Sequence, residues 1–313
     1  MLQQSTVEPI CIPLSFDEIV REIHNFTDLP EQEVRHRVWM EAMNVGWNVL
    51  QDVPVFQVKP HHFDDKMSQL YRESYGFIFE TLVFWVSPSR QKWIESALNR
   101  IHLYAKNQNL KPEQVKILML GDGTGNDSLF LVKNGFKIDY FDFPGSKTSD
   151  FTTKRFASYG LLKKFVNIIT DYNLCLSQQY DVILSFEVLE HLTDPPTAIR
   201  EISSMLKSNG IALITESFSK VRPNLPTHLA ANSKYDGLTA CMFLKYNMML
   251  SWYERSTRGR PMEFSKLGRT SVLSVVQLFQ DKTIRESYFR AITRNFKQNC
   301  KQVLKRILGK NRV

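Results

Sequence analysis

Two clusters in this chain have residue types and spacing suited to chemistry. The first is Gly121-Asp122-Gly123-Thr124-Gly125. Glycines at alternate positions let a loop turn tightly and bring its backbone close to a ligand. Asp142 stands near the end of the next apolar run, where a carboxylate can accept from both hydroxyls of a ribose. Alone, the glycines read equally as an ordinary tight turn. The second cluster is Glu187-Val188-Leu189-Glu190-His191. If Val188 begins a helix, Glu187, Glu190 and His191 converge on one side at spacings of three and four. An imidazole with a pKa of about 6.5 is suited to removing protons near neutrality.

The elements around these clusters alternate. Val115 to Leu120 is an apolar run of strand length that breaks into the glycine loop. Asn126 to Asn134 reads as a helix, capped by Asn126 or Asp127 and stopped by Gly135. Lys137 to Phe143 is a second strand carrying Asp142. A helix around Phe151 to Tyr159, a third strand from Phe165 to Thr170 ending at Asp171, and a fourth, Tyr180 to Phe186, follow. Pro196 to Lys207 is a helix closed by Asn209-Gly210, and Ile211 to Glu216 is a fifth strand. This alternation means parallel strands covered by helices, the nucleotide-binding half of a doubly wound sheet. The loop lacks both the third-glycine dinucleotide spacing and a Lys-Ser/Thr phosphate clamp, which sets NAD and ATP aside. Pro223 to Asn232 reads as a loop and Tyr235 to Lys245 as a helix. Met249 to Glu254 and Val272 to Gln280 are the candidate last strands.

The N-terminal 110 residues read as helical. Ser15 to Glu18 fits a capping box ahead of a helix to Phe26. Pro30 opens a helix towards Leu50, and Pro54 and Pro60 bracket an extended linker. A third helix spans Asp64 to Val86 and a fourth Arg90 to Ala105. Tyr71, Tyr75, Phe77, Phe79, Phe84 and Trp85 either pack these helices together or roof a substrate cavity. His61-His62-Phe63-Asp64-Asp65 is either a polar loop or a source of metal ligands.

The net charge of +8 points to nucleic acid only until it is located. From Lys282 to Val313 there are ten lysines and arginines against one acid, so the tail carries +9 and the remainder −1. The tail's apolar residues, Phe289, Ile292, Phe296, Cys300, Val303 and Ile307, recur at helical spacing with basic flanks. That helix docks on the body, touches anionic lipid or guides an anionic substrate. RNA contact is a further option. Four cysteines without paired spacing argue against a disulfide framework. No secretory signal is apparent at the N-terminus, and Phe77 to Val86 is too short to span a bilayer. A cytoplasmic protein, at most peripheral to a membrane, is expected.

ILMLGDGTG, Asp142, Asp171 and YDVILSFEVLEHLTDPPTAIREISSMLKSNGIALITES together resemble the class I S-adenosylmethionine-dependent methyltransferases. The resemblance covers Val115 to Ser217 and extends to about Gln280. It implies an α/β, mostly parallel Rossmann-like sheet. The domains would be a helical substrate or cap region (1–110), a methyltransferase domain (111–281) and a basic helix (282–313). It implies that Gly121, Gly123 and Gly125 surround the methionine and ribose of the cofactor and that Asp142 holds the ribose hydroxyls. Asp171 would accept from the adenine amino group, with Tyr172 beside the ring, and Phe186 and Glu187 would face methyl transfer. The family often has an acid two residues before the first loop glycine, where this chain has Met119. Asp122 is the candidate to take over part of its role.

The E-x-x-E-H block resembles that of ubiquinone-pathway and small-RNA 2′-O-methyltransferases, where it binds a divalent metal. Glu187, Glu190 and His191 would then hold Mg²⁺, Mn²⁺ or Zn²⁺, with His228 as a fourth ligand. Many small-molecule methyltransferases carry a similar block without metal, and there His191 is the general base. The expected function is methyl transfer to a hydroxyl of a small molecule or glycan. An RNA 2′-O-methyltransferase is the alternative, against which stands the neutral body. A non-catalytic binding protein is the other, resting on Met119.

Overall fold

The structure, a computed structural model, describes residues 12–267 together with Tyr288, Phe289 and Thr293. The Val272–Gln280 strand and the basic tail helix expected from the sequence lie outside the described residues, apart from those three positions.

Six helices come first: α1 (Phe16–Phe26), α2 (Glu31–Met43), α3 (Trp47–Val55), α4 (Asp65–Glu73), α5 (Gly76–Trp85) and α6 (Pro88–Asn107). The Ser15–Glu18 capping box forms in both directions. Two expected helices are each broken in two. Gly46, at φ +84°, ends the run before Leu50, and α3 then continues through Pro54, so no extended linker begins there. Glu73 ends α4, and α5 restarts at Gly76, whose backbone N–H donates to the Ser74 hydroxyl.

The alternating section contains β1 (Lys116–Leu120), α7 (Asn126–Lys133), β2 (Lys137–Phe141), α8 (Lys147–Ser158), β3 (Val166–Ile168), α9 (Tyr172–Leu176) and β4 (Tyr180–Phe186). It continues with α10 (Pro195–Met205), β5 (Leu206–Thr215), α11 (Thr239–Leu244), β6 (Met248–Tyr253) and β7 (Met262–Lys266). The sheet order is β3-β2-β1-β4-β5-β7-β6. β7 runs antiparallel to both of its neighbours, and the other described pairs are parallel. β7 was not read from the sequence: its Glu263 is buried, held bidentate by Arg100, so the strand looks polar.

Every residue of β4 is buried, as a central parallel strand requires. Its one acid, Asp181, accepts from Tyr104 Oη, the Lys116 amide and Lys207 Nζ. One sheet face packs against α6 and α7 through Ile94, Ala97, Ile101 and Leu129. The other packs against α10 and α11 through Ile199, Ile202 and Phe243. The N-terminal helices form their own cluster, in which Ile23, Val38, Phe79 and Leu82 join Phe151 of α8. Strand order reverses between β1 and β4, and ligands of such sheets bind beyond the carboxyl ends of the strands at that point.

Candidate active site

The glycine loop leaves β1 at that reversal. Gly121, Gly123 and Gly125 have φ of +79°, +59° and +75°, a region costly for residues with a Cβ. A Cβ on Gly121 would lie 2.5 Å from Val188 Cγ2, and one on Gly125 2.5 Å from Phe156 Cζ. Neither Asn126 nor Asp127 caps α7. Asp122 does so from within the loop, accepting the Asp127 and Ser128 N–H groups at 3.1 and 2.7 Å. Burial, then the charge of Asp127, lifts its pKa to about 8. Asp122 is therefore committed to holding the helix end. Met119, at the position where an acid was expected, is a core residue with 2% exposure.

Asp142, just past β2, accepts the Gly123 N–H at 2.6 Å through Oδ2 and the Phe143 N–H at 2.6 Å through Oδ1. Glycine loop and acid are thus joined directly at the carboxyl ends of β1 and β2. Asp171 caps α9, accepting from the Asn173 amide at 2.9 Å. Tyr172 packs on Phe141 and donates to Glu201 at 3.0 Å. Phe186 ends β4 with the Arg90 guanidinium 5.1 Å from its ring centroid.

Arg90 was not singled out in the sequence. It is buried and paired to Asp127, which also accepts from Trp85 Nε1 at 2.7 Å. Its Nη1 is buried without an acceptor among the described residues. An orphaned cationic donor beside Phe186 and the start of α7 suits a carboxylate on a ligand of the crevice.

The acid–histidine block does not start a helix. Glu187 has a left-handed φ of +54°, and Leu189–His191 form one 3-10 turn. Glu187 is corrected out of the ligand set. Its carboxylate accepts from Ser217 Oγ and lies 3.4 Å from an Arg260 nitrogen and 3.8 Å from Lys220 Nζ. Glu190, His191 and His228 do come together, each with a ligand atom within 4.8 Å of the others. Both Glu190 oxygens and His228 Nδ1 are buried without partners among the described residues. Burial, reinforced by Glu187, raises the Glu190 pKa well above the usual carboxylate range. Burial, then the neighbouring His191, drives His228 down to about 3.

The loop carrying His228 is stitched in place. Asn232 Nδ2 donates to the Glu190 and Leu192 carbonyls at 3.0 and 2.8 Å, and the Leu229 N–H donates to the Glu190 carbonyl at 3.1 Å. The His191 and His228 rings meet edge to face, 4.8 Å apart. His191 Nδ1 lies 3.1 Å from the Thr227 carbonyl oxygen. A carbonyl only accepts, so Nδ1 carries the proton and Nε2 keeps its lone pair. Burial lowers the His191 pKa, against the pull of Thr227 and Glu187, and keeps the ring neutral. His61 lies outside that group of three, and its Nδ1 is 2.9 Å from the His228 carbonyl oxygen. Asp64 caps α4.

The model of a family described as "Methyltransferase domain" matches residues 90–260, more than half of the chain. The chain belongs to that family. With the strand order above, it is a class I S-adenosylmethionine-dependent member, and S-adenosylmethionine is the cofactor that goes with this membership. A ubiquinone biosynthesis O-methyltransferase of Pelagibacter ubique is 30% identical over 129 residues, 41% of this chain and 52% of the relative. The match thus spans about half of that relative's length. The carbon methyltransferase CurJ is 13% identical with a TM-score of 0.49, over 77% of this chain and 72% of its own. A SAM-dependent methyltransferase from Aquifex aeolicus is 16% identical with a TM-score of 0.42, over 66% of this chain and 100% of its own. Among the described residues no helix is long and apolar enough to cross a membrane.

Proposed function

We propose that the protein transfers a methyl group from S-adenosylmethionine to a hydroxyl of a small molecule or glycan. One observation carries the choice of a hydroxyl: a neutral imidazole, His191, whose Nδ1 proton is held by the Thr227 carbonyl and whose Nε2 is free to accept. The Pelagibacter relative's name, an O-methyltransferase, supports the same reading.

The crevice residues fit the cofactor. The glycine loop turns with positive φ at three positions, Asp142 stands at the loop for a ribose, and Arg90 Nη1 awaits a carboxylate. When bound, S-adenosylmethionine supplies a methyl group already activated by its sulfonium, so the protein has mainly to align and to take a proton. His191 Nε2 receives the acceptor's hydroxyl proton as the oxygen attacks. The charge left on the ring faces Glu187, which favours the protonated imidazole.

A second reading is favoured by the orphaned oxygens of Glu190 and by His228 Nδ1. Buried, unpartnered ligand atoms of this kind suit a divalent cation, with Glu190, His191 and His228 as its ligands. Such an ion would lower the pKa of an acceptor hydroxyl. His191 Nε2 would then be a ligand rather than the base.

The test is transfer of labelled methyl from S-adenosylmethionine to catechols, simple phenols, oligosaccharides and an RNA oligonucleotide, with product mapping. Label on a phenolic or sugar hydroxyl is expected. Label on nitrogen or carbon alone, or on RNA alone, overturns the reading.

A further inference from the structure

We propose that Tyr71, from the N-terminal helices, is a positioning residue that holds the His191 imidazole in the one tautomer and rotation that leaves Nε2 facing the acceptor. The inference rests on the reading of His191 as base or ligand, both of which need Nε2 free.

The Tyr71 hydroxyl oxygen lies 3.0 Å from His191 Nδ1, the nitrogen that also faces the Thr227 carbonyl at 3.1 Å. The carbonyl requires a proton on Nδ1, so the tyrosine oxygen is a second acceptor for the same N–H. The hydroxyl of Tyr71 also hydrogen-bonds the Thr227 side chain. Two groups, from α4 and from the loop after β5, thus meet at one nitrogen on the turn after β4. A ring turned by 180° would put Cδ2–H where Nδ1 stands and lose both hydrogen bonds, and Tyr71 contributes one of the two. The other tautomer would leave an unprotonated Nδ1 against the Thr227 carbonyl, which cannot donate.

Tyr71 is itself rigidly placed. Its ring stacks on Phe77, with centroids 4.7 Å apart and planes 9° from parallel. It also packs against Phe143, the neighbour of Asp142, at 6.2 Å. The segment before α4 fixes the other side of the contact. The His61 N–H donates to the Pro226 carbonyl at 2.7 Å, and the Ala230 N–H donates to the His61 carbonyl at 3.0 Å. So the chain from His61 to Tyr71 brackets the loop that carries Thr227 and His228. Tyr71, one of the aromatic residues read as either packing the helices or roofing a cavity, reaches the imidazole through a hydrogen bond.

The experiment uses the full chain with ¹⁵N-labelled histidine, with His191→Gln to assign the ring signals. In the wild type, His191 is expected as the Nδ1–H tautomer. Tyr71→Phe keeps the stacked ring and removes only the oxygen. It is expected to give a mixture of tautomers or a fast-exchanging Nδ1 proton. Tyr71→Gln, whose amide oxygen can accept, is expected to restore the wild-type signal in part. With a catechol as probe acceptor, Tyr71→Phe is expected to lower kcat roughly ten- to a hundredfold with KM for S-adenosylmethionine unchanged. In a His191→Gln background the same change is expected to add nothing.

An Nε2–H tautomer in the wild type overturns the proposal without any variant. So does a Tyr71→Phe spectrum identical to the wild type. Because the spectra need no acceptor, failure to methylate a catechol counts against the functional reading alone, while the tautomer still decides the role of Tyr71.

Discussion

Gly121 and Val188 lie so close that a methyl group at the glycine Cα would sit 2.5 Å from Val188 Cγ2. This contact joins the end of β1 to the turn that follows β4, so the cofactor loop and the histidine turn are packed as one unit. Gly145 has a similar φ of +73° but nothing within 4 Å of its would-be Cβ. Gly145→Ala therefore reports the backbone cost alone, about 1–2 kcal/mol. Gly121→Ala is expected to exceed it by roughly 1–3 kcal/mol of overpacking in denaturant unfolding. Equal losses would show that Val188 gives way freely.

The buried pair of Arg90 and Asp127 sets a second expectation. Arg90→Met leaves the buried Asp127 carboxyl with Trp85 Nε1 as its remaining side-chain donor among the described residues and is expected to cost about 3–5 kcal/mol. Adding Asp127→Leu removes the stranded charge and is expected to recover part of that loss. A single variant as stable as the wild type would mean that water already reaches this pair.

His228 makes stability depend on pH. Its pKa falls from an ordinary value of about 6.5 to about 3 on folding. Between those values the unfolded chain binds the extra proton, so stability falls as pH is lowered. The slope contributed is at most about 1.4 kcal/mol per pH unit. The wild type should therefore lose more stability than His228→Asn between pH 7 and pH 4. Parallel melting curves for the two proteins across that range would contradict the burial of a neutral ring.

Much of the fold was legible because parallel strands buried on both faces write themselves as apolar runs, as Tyr180 to Phe186 does. The glycine loop was legible because positive φ selects glycine. What could not be read was set by tertiary contact. The cap of α7 comes from Asp122, upstream in the loop rather than at the helix start. β7 hides behind a buried Glu263 whose partner, Arg100, lies far away in sequence. The spacing of Glu187, Glu190 and His191 suggested one helical face, but a left-handed residue at Glu187 sends its carboxylate to Ser217 and Arg260. His228, named from the sequence as a candidate ligand, does lie with Glu190 and His191, but the Asn232 contact that ties its loop to the turn is announced by no local pattern.

Metal dependence separates the two readings of His191. Chelator-treated protein is titrated with Mn²⁺ and followed by electron paramagnetic resonance. On the metal reading, binding is lost in Glu190→Gln and His228→Asn and kept in Glu187→Gln, because Glu187 is engaged elsewhere. Turnover that survives chelation, with no Mn²⁺ bound, assigns His191 as the base.

The cofactor crevice is tested most directly by calorimetric titration of S-adenosylhomocysteine into the wild type and Asp142→Ala. Saturable binding to the wild type is expected, weakened at least about tenfold (about 1.4 kcal/mol) in the variant, with both proteins titrated well below the variant's melting temperature. No binding to the wild type, or equal affinity in both proteins, would contradict a donor held between Gly121–Gly125 and Asp142.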